Sequence, residues 1–151
     1  MLGDFSQAIK YHTQALEIAK KVGGRAGEGA AYANLGNAHQ ALGDFSQAIE
    51  YHTQALAIHK EVGDRAGEGR AYANLGTCHM HLNEYVRAVA YFEAQYDMAT
   101  SLKLAHKQSD AALNMGVALT LRVRAARQGP VAGADQTPGP HSHSSACGVP
   151  G

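Results

Sequence analysis

The chain repeats itself, and this constrains its fold more than any other feature. Residues 3–42 and 43–82 are blocks of equal length that agree at thirty of forty positions. The shared runs are Gly-Asp-Phe-Ser-Gln-Ala-Ile (3–9 and 43–49), Tyr-His-Thr-Gln-Ala-Leu (11–16 and 51–56), Arg-Ala-Gly-Glu-Gly (25–29 and 65–69) and Tyr-Ala-Asn-Leu-Gly (32–36 and 72–76). A decayed third copy begins at Asn83. There Tyr85 stands for Phe45, Ala88-Val89 for Ala48-Ile49, and Asn114-Met115-Gly116 for Asn74-Leu75-Gly76. A forty-residue period belongs to a stacked array whose units touch only their neighbours, not to a ball with one centre.

Each unit reads as helical. The first 129 residues contain no proline, so long helices run unbroken. Phe45, Ala48, Ile49, His52, Ala55 and Leu56 recur at helical spacing and share one face, and Tyr72, Leu75, Gly76 and His79 do the same on the next helix. Glycines punctuate the pattern at 23–24, 43 and 63, with the pairs at 27/29 and 67/69 read as linker. Asp44 predicts an N-cap, with Gln47 in capping-box position. The expected helices are 4–22, 28–41, 44–62, 68–81, 84–103 and 107–127, joined by short turns and therefore antiparallel to their neighbours. This is an all-α fold of stacked antiparallel helix pairs, about three units over residues 1–127. Residues 129–151 hold all four prolines, five glycines and few apolar side chains, so 128–151 is expected to be a disordered tail.

Composition narrows the function classes. Thirteen Lys+Arg balance thirteen Asp+Glu, which disfavours a nucleic-acid or membrane-surface protein, because both require surplus cations. No apolar run is long enough to span a bilayer, and the N-terminus lacks a secretory signal pattern. Two cysteines sixty-nine residues apart make no disulfide framework, so the expected setting is reducing and cytoplasmic. There is no phosphate loop, His-Glu-x-x-His or Ser/His/Asp set, so no enzyme activity, cofactor or metal is expected. The soft ligands of Cys78-His79-Met80-His81 do not converge, since His79 and His81 point about 200° apart on a helix. His12/His52 and His39/His79 recur with the repeat and read as packing slots. Cys78 reads as an apolar filler, His141, His143 and Cys147 as chance composition, and Glu28/Glu68 as solvated or linker residues.

The pattern Tyr32-x2-Leu35-Gly36-x2-His39 followed by Ala48-x3-His52-x2-Ala55 resembles a tetratricopeptide repeat. In such a unit Gly36, Ala48 and Ala55 are small where two helices cross, and Tyr32, Leu35 and Phe45 fill the wedge between them. The usual terminal proline is missing near Lys60, and the period exceeds the common thirty-four. Leu35-Gly36-Asn37 preceded by Arg-Ala-Gly-Glu-Gly is similar to the repeats of G-protein-signalling modulators (the Pins/LGN group). Their Gα-binding motifs have no counterpart in this sequence.

The resemblance implies a right-handed α-solenoid whose first helices line a concave wall. Residues of those helices not used in packing would face inward: Asn34, Asn37 and Gln40, then Arg70, Asn74, Thr77, Met80 and His81, then Leu113 and Asn114. Asn34, Asn74 and Asn114 recur every forty residues as a ladder of amides able to pair with an extended backbone. Arg65 and Arg70 would meet an acidic side chain, each exposed pair contributing under about 1 kcal/mol. The implied function is a non-catalytic scaffold or interaction module for a protein or peptide partner, with a purely structural or self-assembly role as the alternative. The chain starts on the second helix of a unit, so Phe5, Ala8, Ile9, Ala15 and Leu16 are expected to be partly bare. A fragment of a longer scaffold, or self-association through this N-terminal helix, is the corresponding expectation.

Overall fold

The structure is a computed structural model that describes residues 2–129, with side chains from Asp4 onward. Six helices follow one another: α1 (Leu2–Val22), α2 (Arg25–Ala41), α3 (Phe45–Val62), α4 (Arg65–His81), α5 (Tyr85–Ser101) and α6 (Ala105–Gln128). Each packs chiefly on its neighbours in sequence, with a lesser α2–α4 contact, and the described residues contain no strand. The result is an all-α solenoid of the tetratricopeptide type. Helices of 17 and 18 residues, with turns of three and two, fill the forty-residue period. The expected tail lies, from Pro130 on, outside the described residues.

The core comes in repeats as well. Leu16, Ala31 and Leu35 form one cluster under Ile9, Tyr32 and Tyr51. Forty residues on, Leu56, Ala71 and Leu75 form its copy under Ile49, Tyr72 and Tyr91. A third cluster joins Ala88, Phe92 and Ala118, with Met80, Val89 and Met115 around it. Ala48 and Ala55 are fully buried, as close helix crossing requires. At Gly36 a Cβ would stand 2.6 Å from the His52 ring, and at Gly76 it would stand 2.5 Å from Phe92, so only glycine fits at both crossings. Phe45 departs from the expected wedge: its ring stacks on His81 at 4.4 Å and 4°.

Two helix starts differ most from the sequence reading. α2 and α4 begin at Arg25 and Arg65, three residues early, so the Gly pairs lie inside the first turns. Asp64 caps α4 by accepting the Gly67 N–H at 2.8 Å, which holds its carboxyl below the usual range. A Cβ at Gly67 would collide with that carboxylate and with the His59 ring, so this glycine is a packing requirement. Asp44 caps α3 as expected, accepting from Gln47 N–H at 3.2 Å.

The early starts also correct the reading of Glu28 and Glu68. Both are buried, because each lies one turn beyond an arginine of the same helix: Arg25–Glu28 at 2.8 Å and Arg65–Glu68 at 3.3 Å. Arg25 also reaches across to Glu61 on α3 with two bonds, tying the first pair of helices together.

On α1, Phe5, Ala8 and Ile9 are partly exposed and Ala15 is exposed, as expected; Leu16 is the exception. Leu16 is buried against α2, and Ile9 packs beside it. Tyr11, Ile18 and Val22 are the large exposed apolar residues, at 60%, 61% and 75%.

Candidate functional site

Small residues on first helices and long ones on second helices leave space between neighbouring units. Two clefts result. The smaller, about 230 Å³, runs between α2 and α4 past Ala30, Ala33 and Asn34, with buried His52 and His59 of α3 at its base. The larger, about 570 Å³, lies between α4 and the start of α6, where Lys107 enters. Gln95, Met98 and Ala99 of α5 form its buried base. Asn37, Arg70 and Asn74 line both clefts and make them one continuous feature.

The polar groups here divide into committed and free ones. Asn74 donates its amide N–H to Asn37 Oδ1 at 3.1 Å, bridging α2 and α4. Arg65 is engaged by Glu68. Arg70 is two-thirds exposed, and its only carboxylate contact among the described residues is a long one, 3.9 Å to Asp64. Gln95 Oε1 is buried with no hydrogen-bond partner among the described residues, as are both ring nitrogens of His52. A buried acceptor without a donor costs about 1–3 kcal/mol. Burial also keeps the His52 imidazole neutral, lowering its pKa to about 4.

Of the residues singled out from the sequence, Asn34, Asn37, Arg65, Arg70 and Asn74 come together in this feature. The others go elsewhere. Gln40 Oε1 lies 3.6 Å from the Cys78 sulfur. Burial pushes that thiol up to about 11, as befits an inert filler. Thr77 donates to the Ala73 carbonyl at 3.0 Å, Met80 packs on the Phe92 cluster, and His81 covers Phe45. Asn114 is half-buried on α6 and Leu113 is 68% exposed there; neither lines the two clefts. Gln95 escaped the sequence reading. Its signal was a break in the repeat, since Ala15 and Ala55 occupy the same position in the earlier copies.

His59, His79 and His39 face Asp64, Glu84 and Asp44 at 3.1, 2.5 and 3.5 Å, each at a helix junction. Among the described residues no three His, Cys, Asp or Glu side chains gather as a metal site would need. No helix among them is long and apolar enough to cross a membrane.

A family model described as tetratricopeptide repeat matches residues 1–61 and 30–101. Among solved structures the chain is similar to a Signal Transduction ATPase with Numerous Domains (STAND) protein with a tetratricopeptide repeat sensor from Pyrococcus horikoshii. The two are 24% identical with a TM-score of 0.69, over 76% of this chain and 18% of that one. It is also similar to BtubC (BKLC) from P. vanneervenii, at 19% identity and a TM-score of 0.72, over 99% of this chain and 65% of that one. The chain thus spans less than two thirds of the length of either, and at these identities the likeness is one of fold. No curated protein matches the sequence. These matches establish the repeat class and not the narrower likeness to G-protein-signalling modulators.

Proposed function

We propose, from the premise that this chain belongs to the tetratricopeptide-repeat family, that it is a non-catalytic module holding an extended peptide of a partner protein along α2, α4 and α6. Repeats of this family are generally protein–protein interaction or scaffold modules. The observation that carries the finer reading is the unpartnered Gln95 Oε1 at the base of a cleft rimmed by Arg70 and Lys107. A peptide N–H satisfies Gln95, and an acidic side chain of the same peptide meets the two cations. Asn34, Asn37 and Asn74 supply further backbone contacts, with alanines between them leaving room for the chain. The same reading places the protein in the cytoplasm and puts the boundary of the helical domain near residue 127.

The test is capture of partner proteins by the full chain, identified by mass spectrometry, with Gln95→Ala and Arg70→Ala as comparisons. Helicity should be unchanged, while capture of the wild-type partner falls roughly tenfold for each variant, as loss of about 1.5 kcal/mol implies. Capture unaffected by both substitutions removes the groove from the proposal.

A second reading is association of copies through α1. It is favoured by one comparison: Ile18 is 61% exposed, whereas its repeat equivalent Ile58 is 3% exposed beneath α2.

A further inference from the structure

The repeat provides a template for what covers α1. Inside the chain, a second helix packs on the first helix of its own unit by one device: an aromatic or imidazole ring seated on a glycine. His52 of α3 sits on Gly36 of α2, and Phe92 of α5 sits on Gly76 of α4. Both rings are fully buried. The third glycine of the series, Gly116 on α6, has no atom within 4 Å of where a Cβ would stand, among the described residues. The first ring of the series, His12 on α1, is half-exposed and meets no such glycine among the described residues. Among the described residues, a glycine seat on α6 and a ring on α1 are therefore both without a counterpart.

Around the seat α6 is apolar but is not a copy of the internal surfaces. In the internal pairs, Tyr51 lies against Tyr32 and His39, and Tyr91 lies against Tyr72 and His79. The equivalent tyrosine on α1 is Tyr11, 60% exposed; the equivalent positions on α6 are Ala112 and Leu119, both exposed. Ile58 meets Gly29, where a Cβ would stand 2.9 Å from it, and its counterpart Ile18 is bare. The corresponding α6 residue is Ser109, which has a Cβ, so Ile18 must shift from the position Ile58 takes.

We infer that α1 of one copy packs on α6 of a second in the register of α3 on α2, with His12 seated on Gly116. This rests on the reading that α1 mediates self-association, and it names the surface that α1 meets. The contact is heterologous, since the two surfaces differ, so each added copy presents a fresh α6 or α1 and assembly proceeds head to tail. Occupation of α6 by residues 130–151 of the same chain, or of α1 by another protein, is the rival outcome.

Light scattering on the full chain across a wide concentration range tests this. The weight-average mass should climb above 15.9 kDa and pass the dimer. Gly116→Leu fills the seat, where the described residues leave a Cβ unobstructed, and Ile18→Glu charges the opposite face. Each variant alone should remain at 15.9 kDa with full helicity, yet an equimolar mixture should reach twice that mass and stop. The mixture works because each variant keeps one intact surface. Should Ile18→Glu lose helicity, Tyr11→Glu takes its place. A wild-type chain that stays monomeric throughout overturns the self-association reading itself. Association by Gly116→Leu as strong as wild type, with Ile18→Glu monomeric, overturns only the choice of α6. Failure of the mixture to pair overturns the head-to-tail register.

Discussion

At the scale of single residues, His52 shows the cost of reusing one side chain in two surroundings. In α1 the same histidine is half-exposed; in α3 it is fully buried with both ring nitrogens unpartnered. Burial lowers its folded-state pKa from 6.5 to about 4, so between those values the unfolded chain holds a proton that the folded chain does not. Stability is therefore full above pH 6.5 and declines as pH falls to about 4, by about 3 kcal/mol from this residue. The third unit has already replaced this histidine with Phe92, on an equivalent glycine. Substituting His52→Phe should raise the melting temperature and flatten its fall between pH 7 and pH 4. An acid profile as steep as wild type would refute the assignment. Gln95 is the opposite case: a polar side chain put where the earlier copies have alanine, with no hydrogen-bond partner for its Oε1 among the described residues.

At the scale of elements, the same motif position has opposite meanings along the array. Gly36 is locked under the His52 ring, so Gly36→Ala overpacks the α2–α3 crossing and should cost about 1–3 kcal/mol. Gly116 has open space and sits in the interior of α6. There Gly116→Ala should stabilise a dilute, monomeric chain by about 1 kcal/mol through helix propensity alone. Denaturant melts of the two variants give the signs directly, and equal signs would mean that the crossing is not what demands glycine. The helix starts teach a related lesson. A Gly-Glu-Gly run looks like linker until the opposing His59 and Ile58 side chains are known to press on those glycines.

At the scale of the molecule, stability is distributed along a line. Each core cluster draws on three consecutive helices, and no residue of the first joins the third. In such an array the ends open before the middle, because an end helix has one neighbour and an inner helix two. Amides of α3 and α4 should exchange roughly tenfold or more slowly than those in the last two turns of α6 in the dilute chain, read by hydrogen-exchange mass spectrometry. Uniform protection from α1 to α6 would contradict the one-dimensional picture. Head-to-tail association adds a signature: exchange in α1 and α6 should slow together as concentration rises.

The sequence by itself determined the array. A forty-residue period, helical spacing of apolar residues and small residues at fixed offsets leave few alternatives to stacked helix pairs, and the Asp44 cap is readable from side-chain chemistry alone. It also placed Asn34, Asn37, Arg70 and Asn74 on the lining of one feature, since residues four apart share a helical face. What only the tertiary structure decided is which neighbour each face meets. Asn74 spends its amide on Asn37, Met80 and His81 serve packing, Leu16 is covered while Ile18 is bare, and Gln95 lines a cleft. The reason is physical: periodicity sorts residues around one helix axis, whereas contact between helices depends on crossing geometry, which side chains from both partners set jointly.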